Sequence, residues 1–278
     1  MAKITLKSET SGECRMKLMA HDQLRRMLVR SRHIVQWLRQ QGWLAHGSAT
    51  DFHFVRDYRR VVTKLLARYP LDKAMALAVG GDFEHMGLVE CALLRYAGLR
   101  DNMSLIDFGC GSGRLAWALG KEPIRIDYYG VDVEQRLLDY AKTKSPPHFR
   151  FALNHTLHIR APDAAADMVC AFSVFTHLHH AETYLYLEDI HRVLRRDGRL
   201  VFSFLEFAQP LHWKVFEETV AGERRHVTRH LNQFIERNAI ELWCESLGYE
   251  RVDYISGDAA PWGDPGPLGQ SAVILRRR

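Results

Sequence analysis

The stretch Ser104-Leu105-Ile106-Asp107-Phe108-Gly109-Cys110-Gly111-Ser112-Gly113-Arg114-Leu115 decides the reading of this chain. An apolar run carries an acid near its end, then glycines at alternate positions, then a helical pattern. That order implies a strand running into a tight turn that opens a helix. Glycine permits positive φ in such a turn and lets a ligand approach bare backbone. The N–H groups that follow sit at a helix N-terminus, where aligned peptide dipoles stabilise a carboxylate. Asp132 lies 19 residues beyond Gly113, at the end of a second apolar run, Tyr128-Tyr129-Gly130-Val131. An acid there can accept hydrogen bonds from both hydroxyls of a ribose. The two features together point to a nucleoside cofactor.

The dinucleotide fingerprint is G-x-G-x-x-G, whereas this chain reads G-x-G-x-G with Asp107 two residues upstream. An acid followed by x-G-x-G-x-G is the first motif of the class I S-adenosylmethionine-dependent methyltransferases, and Asp107 to Gly113 resembles it throughout. Three further stretches fall in that family's order. Gly130-Val131-Asp132-Val133 resembles the end of its second strand. Ala166 to Leu178 resembles the fourth strand and the loop that faces the methyl group. Ile190 to Ser203 looks like the helix, turn and fifth strand, with Arg199 in place of the turn's usual last glycine. The resemblance covers roughly residues 76–278.

Such a resemblance implies an α/β fold: a Rossmann-like, doubly wound, seven-stranded, mostly parallel sheet ending in a C-terminal antiparallel hairpin. It implies S-adenosylmethionine as cofactor and S-adenosylhomocysteine as product. Carried over residue by residue, Asp107 would help hold the ammonium, and Gly109, Cys110 and Gly111 would lie against the methionine end. Asp132 would bind the ribose, with Val133 against the adenine. Asn154, with His155 beside it, takes the place of the group that meets the adenine amino group. Ser173 would offer backbone to the cofactor's amino group. Gly80-Gly81-Asp82-Phe83 stands where some members make a further contact.

The pattern along the chain agrees with that fold. Strands are expected at Leu105–Phe108, Ile124–Val131, Phe149–Ala152, Met168–Phe172 and Leu200–Phe204. Helices are expected around Gly87–Ala97, Arg114–Leu119, Glu134–Ala141 and Glu182–Leu194. Alternation of this kind argues a parallel sheet covered on both faces. A helix near Asn232–Leu247 ends at Gly248, and Tyr249–Ile255 and Ser271–Leu275 follow, joined by a Pro/Gly-rich loop. Two strands with no room for a crossover helix must be antiparallel.

Residues 1–75 are expected to form a helical extension. Apolar positions recur at helical spacing from Asp22 to Trp43, and again at Tyr58, Val61, Val62, Leu65 and Leu66 before Pro70. The extension is basic: residues 1–70 hold 14 Lys/Arg against 5 Asp/Glu, while the whole chain carries a net charge of +5. A solvated helical face, an anionic substrate and a nucleic-acid surface all fit that excess. By analogy with related enzymes the extension acts as a lid or a homodimer element. Residues 207–230, with Trp213 and a basic run, are expected to be a substrate-facing insertion.

With 278 residues and 47% apolar composition the chain can bury one large core. No run approaches the ~20 apolar residues of a membrane span. The five cysteines are odd in number and scattered, which reads as reduced thiols in a cytoplasm.

Methyl transfer needs alignment and a nucleophile freed of its proton. His177, in the loop after the fourth strand, is the candidate general base; otherwise it shapes the pocket. His177-Leu178-His179-His180, and His155 with His158, lack a converging cysteine or acid, so no metal is expected. Trp213, Phe216, Tyr184 and Tyr186 are candidates for an aromatic pocket or for core. The expected activity is methylation of a small-molecule acceptor at oxygen. The rivals are an RNA or protein methyltransferase, a catalytically silent partner protein, and a nicotinamide-dependent oxidoreductase. Ala171-Phe172-Ser173-Val174 stands where base methylases have Asn/Asp-Pro-Pro-aromatic, which disfavours a nucleic-acid base as acceptor.

Overall fold

Seven strands run in chain order as β1 (Met103–Phe108), β2 (Ile126–Asp132), β3 (Arg150–Leu153), β4 (Ala166–Ala171), β5 (Leu194–Phe204), β6 (Tyr249–Ile255) and β7 (Ser271–Arg277). The computed structural model, which describes residues 52–227 and 231–278, joins them in the order β3-β2-β1-β4-β5-β7-β6. The first five are mutually parallel, and β7 runs antiparallel to both β5 and β6. This is the doubly wound sheet with a terminal hairpin that the alternating pattern implies. The expected helix from Asp22 to Trp43, and with it the lid or dimer role of that segment, lies outside the described residues.

The strands are apolar on both sides because both faces are covered. Ile106 and Val169 point into one core, under α6 (His180–Val193) and α8 (Arg237–Leu247). Their neighbours Leu105, Met168 and Cys170 point into the other, under α3 (Phe83–Tyr96) and α4 (Arg114–Leu119). Chain order reverses between β1 and β4, and the carboxyl ends of strands at such a switch point open a ligand crevice. The glycine turn after β1 and the segment Ser173–His177 after β4 therefore face one another across it.

Two helices precede the sheet. In α1 (His53–Arg68) the buried face is Phe54, Val55 and Val62, and the helix stops where Tyr69 turns extended before Pro70. Val62 packs with Met75 of α2 (Leu71–Ala78) and with Leu137 and Tyr140 of α5 (Gln135–Lys144). Phe54 and Val55 join the core that holds Phe175 and Leu178. Part of the expected extension is thus built into the fold, against the side that carries the crevice.

Local differences from the expected pattern have tertiary causes. β5 begins six residues earlier than the apolar run, at Leu194, because Asp197 takes φ of 63° and the pairing with β4 shifts register there. The connection after β5 contains α7 (Pro210–Arg224), started by proline at its first turn. α8 starts at Arg237 and not near Asn232, since Leu231–Glu236 is held extended. Gln233 N–H donates to Thr176 O at 2.7 Å, and Ile235 N–H to Leu205 O at 2.8 Å. Among the described residues no helix is long and apolar enough to cross a membrane, and the four cysteines are free and buried.

Candidate functional site

The glycine turn is pinned by backbone before any ligand arrives. Gly109 and Cys110 N–H groups both donate to Val131 O, at 2.8 and 3.1 Å. Gly111, at φ of 54°, donates its N–H to Oδ2 of Asp132 at 2.9 Å. A Cβ at Gly111 would lie 2.5 Å from Cγ1 of Val79, so the turn accepts only glycine beside that valine. Cys110 fills the space beside Gly130, and burial pushes its thiol well above its ordinary pKa. Its contribution at the turn is therefore made by its backbone.

Asp132 is nearly inaccessible, and its carboxylate ends β2 with one N–H on each oxygen. Glu134 N–H donates to Oδ1 at 2.9 Å, opposite the Gly111 contact. A carboxylate oxygen has a second lone pair, so two further donors can be accepted. That is the demand of a vicinal diol. Burial raises the Asp132 pKa to about 6, with the backbone hydrogen bonds working in the other direction. Val133 follows, and its carbonyl accepts a hydrogen bond from Nε2 of His155 at 2.9 Å. Val133, Glu134, Leu153 and His155 share a cavity of about 300 Å³ with Arg59, Thr63, Gln135 and Arg136. Asn154 is buried, but its amide exchanges hydrogen bonds with Thr156, donating to Thr156 O at 3.2 Å and accepting from Thr156 Oγ1 at 3.0 Å. Its side chain is engaged within its own loop.

Asp107 sits deeper. It accepts from the Tyr128 hydroxyl at 2.5 Å and from the Cys170 thiol at 3.5 Å. Burial raises its pKa to about 7, and the hydrogen bond from Tyr128 holds it below where burial alone would put it. Ser173 adopts φ of 55° and gives its N–H to Oγ of Ser203 at 2.7 Å. Nδ1 of His177 is 2.7 Å from Leu231 O. A carbonyl only accepts, so Nδ1 carries a proton.

Sequence reasoning missed the groups that stand around His177 and the turn. Tyr58 of α1 stands edge-on to His177, with ring centroids 5.7 Å apart. Burial raises its phenol pKa, and the Asp132 carboxylate adds to the rise. Val79 meets the turn from the other side, at the start of the Gly80-Gly81-Asp82 run singled out above. The buried Arg114 holds that run by donating to Val79 O, and it also ion-pairs with buried Glu90. The Gly80-Gly81-Asp82 run, all three of whose residues take positive φ, was the available signal. Two of the four aromatic candidates belong elsewhere. Tyr186 is core, packed on Phe108, and Tyr184 bonds Ser246 on the outer side of α6. Trp213 and Phe216 join Phe207 and Phe234 in a partly exposed cluster beside the Leu231–Phe234 segment that holds His177.

Known proteins share this fold. Residues 106–202 match the family model described as a methyltransferase domain. Among solved structures, a SAM-dependent methyltransferase from Methanosarcina mazei superposes with a TM-score of 0.53 at 14% identity, covering 66% of this chain and 96% of its own. Magnesium protoporphyrin IX methyltransferase from Synechocystis PCC 6803, solved with SAM, gives a TM-score of 0.54 at 16% identity, covering 84% of this chain and 99% of its own. The same Synechocystis enzyme with SAH gives 0.53 at 17% identity, covering 74% of this chain and 86% of its own. At these identities the likeness is one of fold, and the matched domain carries the assignment. The acid-led glycine turn and the buried Asp132 both lie within residues 106–202, so that segment is a methyltransferase domain on the fold of the S-adenosylmethionine-dependent methyltransferases.

Proposed function

We propose that the protein transfers a methyl group to the oxygen of a small-molecule acceptor, with His177 as general base. The observation that carries this reading is the hydrogen bond from Nδ1 of His177 to Leu231 O, which fixes the tautomer whose Nε2 can take a proton. An amine presented neutral needs no such base, whereas a hydroxyl does.

The residues fit the cofactor. Asp132 has acceptor capacity left on both oxygens for the ribose hydroxyls, and Val133 with His155 lines the adjoining cavity for the base. Gly109, Cys110 and Gly111 leave bare backbone for the methionine end, and Asp107 lies beneath them as a counter-charge for its ammonium. Asn154 and the Ser173 backbone complete the adenine and amino ends of this proposed set. When bound, S-adenosylmethionine supplies a methyl group made electrophilic by its sulfonium. The chain's own work is positional and acid–base. Val79 walls the turn at Gly111, and Tyr58 stands edge-on against His177. His177 removes the acceptor's proton as the oxygen attacks in line, and Leu231 O steadies the resulting imidazolium. The Phe207, Trp213, Phe216 and Phe234 cluster offers an apolar surface for the acceptor's body.

The test is methyl transfer from labelled S-adenosylmethionine to matched panels of phenols, alcohols, carboxylates and amines, with RNA and protein as parallel acceptors. Label on a hydroxylated small molecule, lost in His177→Ala, is expected. Label confined to amines, RNA or protein would overturn the acceptor class.

A further inference from the structure

We propose a divalent transition-metal site of zinc type at His53, His179 and Glu182, clamping the first turn of α1 to the N-terminus of α6. One ligand atom from each of the three side chains lies within 4.8 Å of the others. In the sequence the histidines at 177, 179 and 180 have no converging partner. The fold supplies it by bringing His53 next to Glu182, 129 residues away.

The donor set has the right chemistry. Two imidazoles and a carboxylate are the protein ligands of an open tetrahedral zinc site, with water in the fourth position. Nε2 of His53 is 2.9 Å from Oε2 of Glu182, and the His53 and His179 rings stand 4.5 Å apart between centroids. Tetrahedral ligand atoms at about 2.0–2.2 Å from one zinc ion lie roughly 3.4 Å apart, close to the 2.9 Å between Nε2 of His53 and Oε2 of Glu182. The ligands are also braced. His179 N–H donates to Oε2 of Glu182 at 2.8 Å, which fixes the carboxylate over the helix start. Oδ2 of Asp57 stands 3.8 Å from Nδ1 of His53. A carboxylate on the far side of a histidine ring orients the ligand nitrogen and raises its basicity. Without metal, Nε2–H of His53 donates to Glu182; with metal, Nε2 coordinates and the proton moves to Nδ1, facing Asp57. His179 is exposed and the other two ligands are partly buried, so a cation can reach the site and a water can complete it. It is distinct from the proposed methyl-transfer site. Its role is to hold α1, which five residues later carries Tyr58 against His177.

The test uses the full, tag-free chain stripped with chelator and titrated by calorimetry with zinc, then with magnesium as a hard-cation control. Cobalt, added in place of zinc, reports tetrahedral coordination through its visible absorption. One tightly bound zinc per chain, no magnesium response and a cobalt spectrum are expected. Glu182→Gln keeps an acceptor for the helix N-terminus yet removes the anionic ligand, and His53→Ala removes a nitrogen. Each should weaken zinc at least tenfold, and Asp57→Asn should weaken it by about tenfold. Zinc should raise the unfolding midpoint of the wild type and not of Glu182→Gln. Absence of stoichiometric zinc binding, or zinc affinity equal to the wild type's in folded Glu182→Gln and His53→Ala, would overturn the site and leave a simple His–Glu ion pair.

Discussion

Replacing Asp132 by asparagine separates the ribose reading from a merely structural turn. In the wild type each carboxylate oxygen already accepts one backbone N–H, from Gly111 and Glu134, at 2.9 Å each. Asparagine keeps the shape but has one acceptor oxygen, so its amide N–H₂ must face one of those donors. The charge available to the ribose hydroxyls disappears. Hydrogen bonds to charged groups are worth about 1.5–3 kcal/mol. The dissociation constant for S-adenosylhomocysteine should therefore rise by about ten- to 150-fold. The wild type should also show a pH signature. Burial raises the Asp132 pKa to about 6, and the ionised form is the one that binds. Affinity is then full above that value and falls as pH drops through it, by about tenfold between pH 7 and pH 5. Asp107, raised to about 7, titrates nearby, but it does so in both proteins. The difference between wild type and Asp132→Asn isolates Asp132. The assay is calorimetric titration with S-adenosylhomocysteine across pH, with circular dichroism as a check of folding. Wild-type affinity in a folded variant, or an unchanged pH slope, would refute the reasoning.

His177→Ala should lower kcat by about 10²- to 10⁴-fold on a hydroxyl acceptor, leaving S-adenosylhomocysteine affinity unaltered; steady-state kinetics and calorimetry check both halves. Arg114→Met strands the buried Glu90, whose pKa burial already raises while Arg114 restrains it. Losing one partner of such a pair costs about 3–5 kcal/mol, readable as a drop in urea midpoint. An acid raised in the folded state loses stability as pH climbs from its unfolded value through its folded one, so the deficit should shrink in acid and be full at neutral pH. Gly111→Ala places a Cβ 2.5 Å from Val79 at φ of 54°, and it should weaken S-adenosylhomocysteine at least tenfold in calorimetry, with a lower Tm.

The strands and the cofactor turn were legible because their signals are local. Apolar runs ending in Asp107 and Asp132 mark strand ends, and the alternate glycines mark a turn whose φ values only a few residues tolerate. The antiparallel hairpin followed from loop length alone. What escaped the sequence is tertiary. Tyr58 reaches His177 from α1 and Val79 reaches the turn from just past α2, and no spacing rule links position 58 to position 177. Leu231–Glu236 reads as the beginning of a helix, yet its backbone is better satisfied by Thr176 and Leu205 across the crevice. Asn154 stands after β3, where its place in the chain puts it, but the exchange of hydrogen bonds between its amide and Thr156 is a local side-chain contact that spacing does not reveal. The His53–Glu182 contact likewise comes only from folding.

The central claim is most directly tested by calorimetric titration of the wild-type chain with S-adenosylhomocysteine, using NAD as the control. The account expects one S-adenosylhomocysteine per chain and no response to NAD. Binding of NAD without S-adenosylhomocysteine would contradict it.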